Sequence, residues 1–256
     1  MDWLIFLGGL VLLVIGAGLL VRCASTIGRR LGISPLVIGL TIVAFGTSAP
    51  ELAVSIRGAL EGQSDVALGN VVGSNIFNVL FILGIAALIT PLLVDRKLIR
   101  QEIPWLVAVS VLTLLLALDG RIGTVDGIIL IALLLLYTLV QARQARREPL
   151  AESSDDSPPQ TGWLASTSMQ WLGVLAGFAL LVLGADLLVN SAIRIARSLG
   201  ISEVTIGLTI IAAGTSLPEV ATSVVAAVRG ERDIAVGNVI GSNLFNLMAV
   251  AGIASI

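Results

Sequence analysis

The sequence predicts an all-α polytopic membrane protein built as an inverted repeat. Three observations predict it. Hydrophobic residues make up 56% of the 256-residue chain and charged residues only 12%. That is about half the charged share of a soluble domain, so the chain cannot cover a water-facing surface. Apolar stretches of the length that crosses a bilayer as a helix, about 20 residues, recur along it. The second half of the sequence then repeats the first after an odd number of crossings. The net charge is −2 with no basic tract, which makes nucleic acid a poor partner. With no His and a single cysteine, Cys23, there is no zinc site, disulfide framework or Cys–His catalytic pair to be built.

Eight spans follow one another near 3–21, 33–59, 65–90, 103–118, 122–140, 171–190, 201–228 and 233–256. The first lacks the charged start and cleavage site of a signal peptide and reads as a mature helix. Trp3, Trp105, Trp163 and Trp171 sit near span ends, as an interfacial belt requires. Residues 1–140 form a first transmembrane half and 171–256 a second. Between them, 141–170 carries Arg143, Arg146 and Arg147, then Glu148, then the polar run Ser153 to Pro159. This reads as a flexible linker. Its acidic pair, Asp155 and Asp156, lacks the ligand spacing of an EF-hand. Loops after the odd-numbered spans hold 11 Lys and Arg, those after the even-numbered spans 4. The positive-inside rule therefore puts the N-terminus outside and the linker in the cytoplasm.

Residues 11–88 align with 179–256 without a gap, at a constant offset of 168, with 43 identities in 78 positions. The repeats proper cover about 33–90 and 201–256. Span 6 is the copy of span 1. Five crossings separate them, so the second copy enters from the opposite face. Secondary transporters use such inverted repeats and place their substrate near the midplane between them. A duplication kept for packing predicts matching apolar and small residues; here the polar residues match too.

Glu51 and Glu219 lie inside spans 2 and 7. An ionisable group there is expensive and marks a functional site by default. Pairing with a buried Arg is the bland alternative, and Arg57 lies six residues on, near the helix end. Thr47 and Ser48 precede Glu51 by four and three residues, so the three share one helix face, and Thr215, Ser216 and Glu219 repeat this. Asn70, Ser74 and Asn78 form an i, i+4, i+8 stripe on span 3, repeated by Asn238, Ser242 and Asn246 on span 8. All these groups are hard oxygen donors, which suit Na⁺ or Ca²⁺ and not soft metals. Ser and Asn stripes also serve as glue between membrane helices, and for Asn70, Asn75, Asn238 and Asn243 the two roles stand level. Pro50 and Pro218 withdraw the hydrogen bond to the carbonyls of Gly46 and Gly214. A carbonyl freed at membrane depth needs another partner, which a cation can be. Gly69 with Gly73, and Gly237 with Gly241, let spans 3 and 8 approach spans 2 and 7 closely. Asp186, opposite Gly18 in the alignment, reads as interfacial. Two carboxylates give a charge that one Ca²⁺ neutralises, and several Na⁺ can use the same oxygens. Competition for shared ligands is the simplest basis for antiport.

The segment Gly46-Thr47-Ser48-Ala49-Pro50-Glu51, its copy Gly214 to Glu219, and the block Gly69-Asn70-Val71-Val72-Gly73-Ser74-Asn75-Ile76-Phe77-Asn78 with its copy Gly237 to Asn246 resemble the α-repeats of the cation/calcium exchanger superfamily, its bacterial sodium/calcium antiporter branch in particular. The resemblance implies a fold of two inverted five-helix halves. Eight of the ten helices are legible, and by the offset Ile256 matches Leu88, so the second half would be incomplete. It further implies cation positions enclosed by spans 2, 3, 7 and 8. The ligands would be the carbonyl of Ala44, with Thr47, Ser48, Glu51, Ser74 and Asn78, and the carbonyl of Ala212, with Thr215, Ser216, Glu219, Ser242 and Asn246. The implied activity is exchange of Ca²⁺ for Na⁺ across the inner membrane by alternating access, in a monomer that uses no cofactor. Some family members carry Asp where Asn246 stands, which leaves exchange with H⁺ or dependence on K⁺ as the alternative. An intramembrane enzyme using Glu51 and Glu219 as acid and base lacks supporting His or nucleophile motifs, and a passive channel is disfavoured by the broken helices.

Overall fold

The computed structural model describes residues 1–92, 95–145 and 166–256. The Ser153 to Pro159 run with Asp155 and Asp156, the preceding Arg146, Arg147 and Glu148, and Trp163 lie outside the described residues. Every regular element among the described residues is helical, as the hydropathy pattern requires.

The order is α1 (Asp2–Leu31), α2 (Pro35–Ile38, a π turn Gly39–Val43, and Ala44–Thr47) and α3 (Ala49–Leu60). Then come α4 (Ser64–Phe77, a π turn Asn78–Ile82, and Leu83–Ile89), α5 (a π turn Leu98–Glu102, then Ile103–Leu116) and α6 (Thr124–Ala145). The second half has α7 (Thr167–Ser198), α8 (Glu203–Ile206, a π turn Gly207–Ile211, and Ala212–Gly214), α9 (Leu217–Val228) and α10 (Arg232–Phe245, a π turn Asn246–Val250, and Ala251–Ala254). Six helices are long and apolar enough to span a membrane, and α2 with α3 makes a seventh, bent by 44°. Of the eight spans read from the sequence, six are single long helices, span 2 is the bent pair, and span 7 falls into two pieces of which Leu217–Val228 is a shorter apolar helix. Spans 2 and 7 each consist of two short helices because a proline occupies the first turn of the second piece. Proline is favoured in a first turn and cannot continue a preceding helix.

The repeat is visible in local detail. Gly32 and Gly200 end α1 and α7 in the left-handed region at φ 69° and 77°, and Gly62 and Gly230 do so after α3 and α9 at 74° and 78°. Each pair is 168 residues apart. A left-handed turn costs glycine little and other residues more, so the duplication kept the turns along with the helices.

The inversion is visible in the packing. A Cβ on Gly9 would lie 2.8 Å from the Gly184 carbonyl oxygen, and one on Gly16 would lie 2.9 Å from that of Gly177. Position 9 maps onto 177 and 16 onto 184, so the two contacts are images of each other. They pair an early residue with a late one and run α1 antiparallel to α7. Small residues at such crossings let backbones touch, which is how membrane helices gain packing energy where lipid gives no hydrophobic drive.

The two halves are not equally enclosed. In α10, 94% of its most apolar window is buried, against 22% in its counterpart α4. Leu98, Val109, Leu130 and Tyr137 of α5 and α6 close over Leu244, Leu247, Met248 and Val250 of α10. Gly237 and Gly241 press α10 onto the Leu36 and Leu40 carbonyls of α2. Gly69 and Gly73 have nothing within 4 Å of a built Cβ. The close approach expected of both glycine pairs is therefore made by one of them. Val72, Ile76 and Leu80 of α4 are exposed.

Candidate cation site

The site forms where the breaks in spans 2 and 7 meet α4 and α10. Glu51 is the third residue of α3 and Glu219 the third of α9, each in the first turn after the break. Both side chains are fully buried. The Ser48 hydroxyl donates to Glu219 Oε1 at 2.9 Å, and the Ser216 hydroxyl donates to Glu51 Oε1 at 2.9 Å. Each serine sits one turn before one glutamate and bonds to the other. The two carboxylates therefore face one another across the pseudo-two-fold axis, joined by a pair of equivalent bonds. Arg57, the one cation near Glu51 in sequence, pairs instead with Glu61 at 2.8 Å on the exposed helix end.

Four asparagines hold the frame. Asn70 Nδ2 donates to the Glu51 carbonyl and to Ser55 Oγ at 3.1 and 2.9 Å. Asn238 Nδ2 does the same to the Glu219 carbonyl and Ser223 Oγ at 3.4 and 2.9 Å. Asn75 and Asn243 exchange bonds with each other's carbonyls at 3.1 and 3.3 Å, tying α4 to α10. Asn78 Nδ2 donates to Asn243 Oδ1 at 3.0 Å, and Asn246 Nδ2 to Asn75 Oδ1 at 3.2 Å. Asn70, Asn75, Asn238 and Asn243 thus act as interhelical glue in this arrangement. With their amide nitrogens engaged, Asn78 and Asn246 turn their oxygens away from the frame.

Those oxygens have no hydrogen-bond partner. Glu51 Oε2, Glu219 Oε2, Ser74 Oγ, Asn78 Oδ1, Asn246 Oδ1 and Thr215 Oγ1 are all buried and unpaired. An unsatisfied buried oxygen costs about 1–3 kcal/mol, and more for a charged group, so these six oxygens favour a partner that the protein's own donors do not supply. The set is carboxylate, amide and hydroxyl oxygen, which suits a hard cation. The remaining expected positions differ in detail. Thr47 Oγ1 bonds to Asn238 Oδ1 at 3.0 Å, and also approaches the Ala44 carbonyl at 3.3 Å and Ser242 Oγ at 3.4 Å. The Ala44 carbonyl also accepts the Ser48 N–H at 3.1 Å. Ala212 occupies the matching turn of α8 and is exposed, and Thr215 is half-buried. The asymmetry follows from α10 seating on α2 more closely than α4 seats on α8.

Every one of the four repeat helices carries a π turn at this level, at Gly39–Val43, Asn78–Ile82, Gly207–Ile211 and Asn246–Val250. A π turn frees backbone groups and often marks a functional position; the sequence carried no separate signal for it. Asp186, which the sequence reading set at an interface, lies in the middle of α7. With Phe45, Gly46 and Phe178 it lines an open cavity of about 660 Å³ beside the α2 break.

An all-helical membrane bundle of two inverted halves, with paired buried carboxylates at their junction, defines a cation antiporter of the inverted-repeat class. The matching family model is "Sodium/calcium exchanger protein", over residues 1–143 and 169–256. The putative antiporter CaxA of Alkalimonas amylolytica is 43% identical over 97% of this chain and 78% of its own length. The sodium/calcium exchanger MaX1 of Methanosarcina acetivorans is 32% identical over 100% and 83%. The inner membrane protein YrbG of Escherichia coli is 42% identical over 97% and 77%. Among solved structures, the sodium-calcium exchanger NCX_Mj soaked without Na⁺ and Ca²⁺ superposes with a TM-score of 0.86, at 32% identity, over 99% of this chain and 81% of that one. The chain belongs to the sodium/calcium exchanger family.

Proposed function

We propose that the protein exchanges Ca²⁺ for Na⁺ across the inner membrane by alternating access, and that the ions compete for one oxygen cage. The observation that carries the reading is the cluster of unpaired buried oxygens on Glu51, Glu219, Ser74, Asn78, Asn246 and Thr215. Glu51 and Glu219 hold the central divalent position. Thr47, Ser48, Ser216 and Ser242, with the carbonyls of Ala44 and Ala212, complete flanking positions for Na⁺. Two carboxylates facing each other in a low dielectric repel strongly, so the cage crosses the membrane only when loaded. Replacing one Ca²⁺ by Na⁺ ions keeps it neutralised, which couples the two fluxes. The names of MaX1 and NCX_Mj, both sodium/calcium exchangers, support this ion pair. The glycine contacts pack α1 tightly against α7, so these two helices move as a unit. The N-terminus lies outside and 141–170 in the cytoplasm.

Proteoliposomes loaded with Na⁺ and diluted into Na⁺-free buffer test this. The expected result is ⁴⁵Ca²⁺ uptake that follows the outward Na⁺ gradient. Uptake that ignores it, or that follows an imposed H⁺ or K⁺ gradient instead, overturns the assignment of the counter-ion.

A further inference from the structure

A third buried carboxylate lies outside the cage, and nothing in the exchange cycle uses it. Glu102 ends the π turn that opens α5 and is 1% exposed. Tyr137 Oη donates to its Oε2 at 2.8 Å, and Gln141 Nε2 donates to its Oε1 at 2.6 Å. No Lys or Arg forms a salt bridge with it among the described residues. A buried carboxylate without a cation is a costly arrangement. Tyr137, Gln141 and Gln144 stand at i, i+4 and i+7 on α6, so they share one face. With the Gln141 amide nitrogen spent on Glu102, its Oε1 is left buried and unpaired, and Gln144 Oε1 is unpaired as well. Gln141 itself is 2% exposed. Glu102, Gln141 and Gln144 line an open pocket of about 280 Å³ together with Trp105 and the exposed Arg100. Of the five π turns described, four lie on the repeat helices, two of them starting at Asn78 and Asn246. The fifth delivers Glu102.

We propose that Glu102, Gln141 and Gln144 form a second cation site, separate from the transport cage, that takes a single alkali cation of the Na⁺ type. The donors are hard oxygens, one charged and two neutral, and each carboxylate oxygen keeps a lone pair after accepting its hydrogen bond. Glu102 supplies the one negative charge and Arg100 at the rim already supplies a positive one, so a second unit of positive charge on a divalent ion is disfavoured and a monovalent ion is preferred. The site joins α5 to α6 at the end that the Lys and Arg count assigns to the cytoplasm. Tyr137 belongs to the same apolar cluster as Leu247, Met248 and Val250 of the α10 π turn, and that turn begins at Asn246. Occupancy therefore stiffens the α5–α6 pair against the helix that carries a cage residue, and the bound ion acts as an activator that is not transported.

The test uses the full chain with Glu51→Gln and Glu219→Gln, which disable the cage, and with Trp3, Trp163 and Trp171 changed to Phe so that Trp105 reports alone. Choline holds the ionic strength while Na⁺ is titrated. The expected result is a saturable change in Trp105 emission and a rise in Tm with Na⁺. Glu102→Gln abolishes both, and Gln144→Ala, which leaves the Tyr137 bond in place, raises the half-saturating Na⁺ at least tenfold. Should Glu102→Gln fail to fold, the Gln144→Ala shift decides alone. The absence of any Na⁺ response in the cage-disabled chain overturns the site, and so does a response unchanged by these substitutions. A response to Ca²⁺ at lower concentration than to Na⁺ overturns the monovalent assignment.

Discussion

Glu51→Gln separates charge from geometry at the cage. The amide keeps an oxygen that the Ser216 hydroxyl can still bond, as it does now to Glu51 Oε1 at 2.9 Å. What is lost is one of two negative charges at a fully buried position. Two unit charges about 4 Å apart interact by about 4 kcal/mol at an effective dielectric of about 20. Removing one carboxylate therefore takes about 4 kcal/mol of attraction from Na⁺ and, by doubling the charge, about 8 kcal/mol from Ca²⁺. The difference of about 4 kcal/mol is about a thousandfold, at about 1.4 kcal/mol per factor of ten. The expected outcome is that Ca²⁺ binding falls about a thousandfold more than Na⁺ binding, measured by competition against ⁴⁵Ca²⁺ in detergent. Na⁺-driven Ca²⁺ uptake then drops below detection. Glu219→Gln gives the same result because the two sites are images. Uptake within tenfold of the parent, or equal weakening for both ions, refutes the shared-cage reasoning.

The crossed bonds make a second prediction. A double-mutant cycle between Ser48→Ala and Glu219→Gln on Ca²⁺ affinity yields a coupling of at least about 1 kcal/mol, the scale of a hydrogen bond to a charged group. The cycle between Ser48→Ala and Glu51→Gln, neighbours in sequence, yields a smaller one; the reverse order contradicts the fold. Matched glycines give a third. Gly237→Ala places a Cβ 2.7 Å from the Leu36 carbonyl oxygen and lowers Tm, whereas Gly69→Ala meets nothing within 4 Å and leaves Tm unchanged or raises it, as removal of a helical glycine does by about 0.4–1 kcal/mol. Equal effects on Tm count against the unequal seating of α4 and α10. Asn75→Ala, finally, breaks the bond to the Asn243 carbonyl and removes the acceptor of Asn246 Nδ2; it lowers Tm and weakens both ions, while the ratio of Na⁺ to Ca²⁺ affinity stays within threefold because no charge is lost. A larger change in that ratio makes Asn75 a ligand rather than a tie.

Much of the cage could be read directly from the chain. Glu51, Glu219, Ser74, Asn78 and Asn246 stand out because polar side chains in an apolar span are costly, and a duplication preserves such costs only in pairs that do something. The break at Pro50 and Pro218 was equally plain, because proline acts on the carbonyl four residues back whatever surrounds it. The direction of the crossed bonds was hidden. Ser48 shares a helix face with Glu51, and nothing local says that its hydroxyl reaches Glu219. The π turns were hidden as well, since an extra residue per turn leaves no mark in composition. Glu102 drew no notice because its partners, Tyr137 and Gln141, lie more than thirty residues away in the chain.

The sequence by itself determined that the chain is helical and membrane-bound, that its halves are inverted, and which polar side chains are candidates for the buried set. Hydropathy, helical period and the parity of crossings are properties of the chain alone, and no folded context alters them. Tertiary structure decided which of two identical motifs is tight and which is loose. Gly69 and Gly237 stand in the same local sequence, yet one faces open space and the other a backbone carbonyl. The physical reason is that close packing is a property of two surfaces. The helices α5 and α6 close over α10, and no residue of the repeat records which neighbours it meets.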